Sequence, residues 1–136
     1  MAVIGFPLLV IPFAIYNIIA FVFPRLGWAD EIAKVHMMSG GEWIFTPGDL
    51  LIAIAIVVLF VEMLKSTRMN TRTMVDHILS MILFVVLLVE FLMIKQAATG
   101  TFFLLLIVSF VDVVAGFSIT VVAARRNIQF EAEGRA

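Results

Sequence analysis

The chain has 136 residues, 63% of them hydrophobic and 14% charged, with a formal net charge of −1 and no cysteine. Soluble domains average roughly 45–50% apolar and about 25% charged residues, so too little polar material is present to cover a water-soluble globule. Without cysteine there is no disulfide framework, thiolate metal site or thiol redox motif.

A hydrocarbon core of roughly 30 Å needs about 20 helical residues to cross it. Four apolar stretches approach that length, and the spacing predicts spans over about 3–24, 47–66, 73–95 and 101–124. The first lacks a basic leader and a small-residue cleavage pattern, so it reads as a retained span kinked at Pro12, not as a secretory signal. The connector from Trp28 to Met38 places Trp28, Ile32 and Val35 on one helical face, with Asp30, Glu31 and Lys34 turned largely away. That pattern predicts a short interfacial amphipathic helix between spans one and two, with Trp28 and Trp43 as anchors and Ser39-Gly40-Gly41 as its breaker.

Thr46-Pro47-Gly48-Asp49 carries a capping residue, a proline at the first helical position and a carboxylate three residues after the cap. Thr73 and Asp76 repeat the spacing, so Asp76 reads as the capping carboxylate of span three. Gly100 is expected to end that helix, and the tight connector makes spans three and four an antiparallel hairpin. The polar tail 125–136 is expected to be frayed from Asn127 onward. Together these elements predict an all-α fold: one domain over 1–136, an integral membrane bundle of four transmembrane helices.

Lys65, Arg68 and Arg72 share one connector, and Arg125 and Arg126 follow the last span. The bias of Lys and Arg toward cytoplasmic loops then predicts a multi-pass protein of the bacterial inner membrane with both termini in the cytoplasm.

Ionisable groups cost roughly 2.5 kcal/mol or more at the centre of a membrane helix, so the few inside the spans are the functional leads. A rise of about 1.5 Å per residue puts Asp112 near mid-depth, Asn17 and Glu90 in the outer third, and Glu62, Asp76 and His77 in a polar cluster at the inner interface. Asp112, Glu90 and Asn17 form the candidate intramembrane polar site. Asp112 reads either as a register-fixing carboxyl bonded to Asn17, Tyr16 or a hydroxyl, as a proton or cation way-station, or as a group met by a partner's charge. Ser109, Asp112, Gly116 and Thr120 recur at three- and four-residue spacing, which marks a packing face of small and hydroxylated residues. Glu90 can reach outer water, and Glu62 stands three residues before Lys65 as an interfacial pair.

His36 and His77 are the only histidines and fall at opposite ends, so they cannot share a haem or metal within one subunit. Neither a zinc helix motif nor a phosphate loop occurs, and no basic surface suits nucleic acid. No catalytic residue, cofactor or metal is expected. The thirteen phenylalanines and eight methionines read as lipid-facing and packing material.

Met37-Met38-Ser39-Gly40-Gly41-Glu42-Trp43, Gly48-Asp49-Leu50-Leu51, Val75-Asp76-His77 and Phe110-Val111-Asp112-Val113-Val114-Ala115-Gly116-Phe117 resemble short four-span inner-membrane proteins of alphaproteobacterial type, a group with no assigned function. The resemblance covers almost the whole chain and implies a four-helix inner-membrane protein, with no catalytic or binding role to carry over. The expectation is a non-enzymatic accessory or scaffolding protein of the bilayer, packing with itself as a homo-oligomer or with a larger membrane complex. The alternative is a small oligomeric proton- or cation-coupled transporter or channel using Asp112 and Glu90. A holin-like pore is disfavoured by the weakly basic tail.

Overall fold

The computed structural model describes residues 7–66 and 71–134. The side chains of 65, 66, 71–74, 119, 120 and most of those from 123 onward lie outside that description. The elements in chain order are α1 (Val10–Val22), β1 (Ala33–His36), β2 (Glu42–Phe45), α2 (Pro47–Ser66), α3 (Thr71–Met93), a single 3₁₀ turn (Lys95–Ala97) and α4 (Gly100–Gly134). Three helices are long and apolar enough to cross a membrane, over Pro47–Leu64, Val75–Met93 and Gly100–Ser118. The chain is therefore a helical membrane protein by length and composition. Of these windows, 22%, 22% and 39% respectively is buried, which makes α4 the central helix. It packs against α2 on one side and α3 on the other, while α1 lies on α2 and the 3₁₀ turn.

The first span is shorter than expected. α1 has 13 residues, about 20 Å of helix against the roughly 30 Å of a hydrocarbon core. Pro12 sits in its first turn, where a missing N–H has no intrahelical acceptor to disappoint, so it starts the helix cleanly and no mid-span kink arises. Val3 to Phe6, the beginning of the expected span, lie outside the described residues.

The expected interfacial helix is instead a β-hairpin. Ala33 pairs with Phe45, Lys34 with Ile44, Val35 with Trp43 and His36 with Glu42. A three-residue loop closes it: Gly40 N–H donates to Met37 C=O at 3.0 Å and Met37 N–H to Gly41 C=O at 2.8 Å. Gly40 takes the positive φ of 90° that this loop requires and that only glycine adopts without strain. An isolated helix of about ten residues is marginal in water, whereas two strands rich in β-branched and aromatic residues gain a cross-strand ladder.

α2 begins where its capping box predicts. Asp49 N–H donates to Thr46 Oγ1 at 3.1 Å, and Thr46 N–H returns to Asp49 Oδ2 at 3.2 Å. α3 begins at Thr71, so Asp76 falls past the first turn and is a buried core residue, not a helix-start carboxylate. Thr73's side chain lies outside the described residues. Gly100 opens α4 where it was expected to close α3; the cap is Thr99, whose Oγ1 accepts Phe102 N–H at 3.1 Å. The expected fraying from Asn127 also gives way, because α4 continues to Gly134. Gln129, Glu131, Ala132 and Glu133 are good helix formers and no glycine or proline intervenes before Gly134.

Rings pin the α3–α4 register. Phe91 meets Phe103 at 6.1 Å, Phe84 meets Phe110 at 5.6 Å and His77 meets Phe117 at 6.2 Å. Each pair lies seven residues from the next on both helices, which is the repeat of antiparallel helices that stay in contact over many turns. α2 and α4 run parallel, and Gly48 makes their close approach possible: a Cβ there would strike the Thr101 hydroxyl and come within 3.0 Å of Trp28 C=O.

Candidate functional site

At one end of the bundle, Tyr16 is fully buried and joins three segments. Its hydroxyl donates to Gln96 C=O at 2.8 Å and shares a 2.7 Å hydrogen bond with Thr99 Oγ1. Trp28 stacks on its ring at 4.5 Å, and Phe102 meets it edge-on at 4.9 Å. Phe13 and Phe91 also pack on Phe102. Trp28 C=O accepts the Gly48 N–H at 3.0 Å, which ties the hairpin end of the chain to the start of α2. Trp28 is thus a packing residue as much as an interfacial one. The chain has a single tyrosine, which the sequence offered only as a possible partner for Asp112.

The three residues of the candidate intramembrane site do not converge. Asn17 Nδ2 donates to Phe13 C=O at 3.1 Å and to Glu90 Oε2 at 3.4 Å, so Asn17 and Glu90 meet where α1 crosses α3. The ring-pair register sets Glu90 level with Leu104, which leaves Asp112 eight residues, or about 12 Å, further along α4. Asn17 and Tyr16, considered as partners for Asp112, are engaged at the other level.

Asp112 instead belongs to a buried polar layer nearer the opposite end. It is 5% exposed, and Glu62, Asp76, Ser80 and Ser109 are buried with it. The same register places Ser80 opposite Val114, between Asp112 and Gly116, so α3 adds its hydroxyl at the depth where α4 carries its carboxyl. Ser80 Oγ donates to Asp76 C=O at 3.0 Å. Counting along the parallel helices from the Gly48–Thr101 contact brings Glu62 near the level of Gly116.

Glu62 is 1% exposed, and its Oε1 accepts Leu8 N–H at 2.7 Å. A carboxyl expected at the interface is therefore buried within the bundle, holding the backbone just ahead of α1. The pairing with Lys65 falls outside the described side chains. His77 is half-buried and faces Phe117, whereas Glu62 and Asp76 are buried. On the expected packing face, Ser109 and Gly116 are buried on α4, and Thr120's side chain is outside the description. Among the described residues the Ser109 hydroxyl has no hydrogen-bond partner, one turn from Asp112.

A groove of about 840 Å³ opens at the hairpin end, where Trp28, Trp43 and Asp30 face Ile52 and Ile56 of α2 and Leu104 of α4. Among the described residues no group of three or more His, Asp or Glu side chains is placed to hold a metal ion. No protein-family model, curated protein or solved structure matches the chain.

Proposed function

We propose that the chain is a non-enzymatic accessory or scaffolding protein of a bacterial inner membrane, in which the first apolar segment crosses as well, beside the three long helices, and both termini face the cytoplasm. The observation that carries this reading is the length of α4. It runs to Gly134, ten residues past Ala124, where the apolar run ends, a polar arm of about 15 Å. Arg125 and Ile128 are exposed on that arm. Within the membrane, Glu62 holds Leu8 just ahead of α1 and Glu90 meets Asn17 of α1, which is the use expected of carboxyls that hold a bundle together. The sequence resemblance and the placement of Arg125 and Arg126 after the apolar part of α4 favour the inner membrane and this orientation.

Crosslinking in intact membranes followed by extraction in mild detergent is expected to recover one reproducible larger complex, either a homo-oligomer or a mixed assembly. Ending the chain after Asn127 should abolish that complex while leaving membrane insertion intact. A chain that migrates alone with its full length present would contradict the proposal.

Ser109 supports a second reading, since a buried hydroxyl with no hydrogen-bond partner among the described residues, one turn from Asp112, is the kind of group a passing proton or cation would use. That reading expects a proton or cation flux in liposomes which Asp112→Asn abolishes without loss of protein; flux unchanged by the substitution removes Asp112 from any transport step.

A further inference from the structure

The hairpin is amphipathic in a way its register makes explicit. Neighbouring residues of a strand point to opposite faces and directly paired residues share one. Val35 and Trp43 therefore lie on the same face as Ala33 and Phe45, and Lys34, His36, Glu42 and Ile44 lie on the other. Contacts on each face agree. The Trp43 and Phe45 rings meet edge-on at 5.4 Å, and Lys34 Nζ pairs with Glu42 Oε2 at 3.0 Å across the charged side.

The apolar face is left open. Trp43 is 46% exposed, and Val35 and Met37 nearly as much. Two features specify what covers it. β2 ends at Phe45 and the crossing helix α2 starts at Pro47, so the hairpin is held at the membrane boundary by a one-residue link. Trp43 also lines the same groove as Ile56 and Leu104, which are exposed residues of the crossing helices α2 and α4. The apolar side of the hairpin is thus continuous with the surface that acyl chains must cover, while the Lys34–Glu42 side faces away.

We infer that the hairpin is a membrane-interface anchor: its Ala33, Val35, Trp43 and Phe45 face lies in the headgroup–acyl boundary of the adjoining leaflet, and Lys34, His36 and Glu42 face water. A tryptophan with one apolar and one polar end suits that depth. The inference rests on α2, α3 and α4 crossing a bilayer.

Fluorescence of the full chain in phospholipid vesicles tests it. In a Trp28→Phe background, which keeps a ring on Tyr16, Trp43 is the only tryptophan. Its emission is expected to be lost more to lipid brominated near the glycerol end of the acyl chains than to lipid brominated near the methyl end, and to resist aqueous iodide. Val35→Asp should restore iodide quenching. A companion protein with Trp28→Phe, Trp43→Phe and Val57→Trp reports the middle of α2. If that position is quenched by deep bromine while Trp43 answers only to iodide, the anchor is overturned and the crossing stands; if neither position senses bromine, the crossing itself fails. Shielding of Trp43 that ignores bromine and rises with the protein-to-lipid ratio would mean a second copy covers the face, which also overturns the anchor. Because the chain has no cysteine, Val35→Cys carrying an environment-sensitive dye repeats the measurement with Trp28 in place.

Discussion

Tyr16→Ala is expected to give the largest loss of stability of any single substitution at the hairpin end, about 3–5 kcal/mol, read as a lowered unfolding midpoint in detergent. The side chain is fully buried, and truncation removes the surface on which Trp28 stacks and Phe102 packs. It also strips the Gln96 carbonyl and Thr99 hydroxyl of their partner. Tyr16→Phe separates the two effects, because it keeps the ring and deletes only the hydroxyl. That variant should lose about 1–2 kcal/mol. Equal losses for both variants would mean that the ring packing contributes little and that the aromatic cluster is not what holds α1 to the α3–α4 turn.

Glu62→Ala is expected to cost about 1–3 kcal/mol at the other end, from loss of the hydrogen bond to Leu8 and a partly buried N–H left without that acceptor. Its consequence should be local before it is global. Leu8 and the first turn of α1 should exchange amide hydrogens faster than α2 or α4, since Oε1 of Glu62 accepts the Leu8 N–H. Glu62→Gln retains an acceptor oxygen of nearly the same shape and should recover most of the loss. If alanine and glutamine behave alike, the carboxylate does not hold the start of α1.

The long apolar helices were legible because a membrane imposes length and composition together, and α2 could be placed to the residue because Thr46 and Asp49 form a reciprocal cap. The segment 28–45 was misread for a definite reason. Trp28, Ile32 and Val35 satisfy a helical spacing, yet residues 33–36 and 42–45 also form two four-residue runs around Ser39-Gly40-Gly41, and long-range pairing decided between these periods. α1 was overestimated because hydropathy alone does not reveal where Pro7 and Pro12 let a helix begin. Asp112 was expected to face protein and is buried, as are Glu62, expected at an interface, and Asp76, expected at a cap; which of these acids share a level depended on helix register. That register was present in the sequence as phenylalanines seven residues apart at 84 and 91, and again at 103, 110 and 117. Phenylalanine serves lipid contact and ring packing equally well, so the spacing became informative only once α3 and α4 were side by side.

The central claim is that three apolar helices cross a bilayer, with the hairpin at one surface and the arm of α4 at the other. Single cysteines at Met38, exposed at the hairpin tip, and at Ile128, exposed on the arm, test it in right-side-out membrane vesicles with an impermeant maleimide. Met38→Cys is predicted to react at once and Ile128→Cys only after permeabilisation. Labelling of both positions in sealed vesicles would contradict the account.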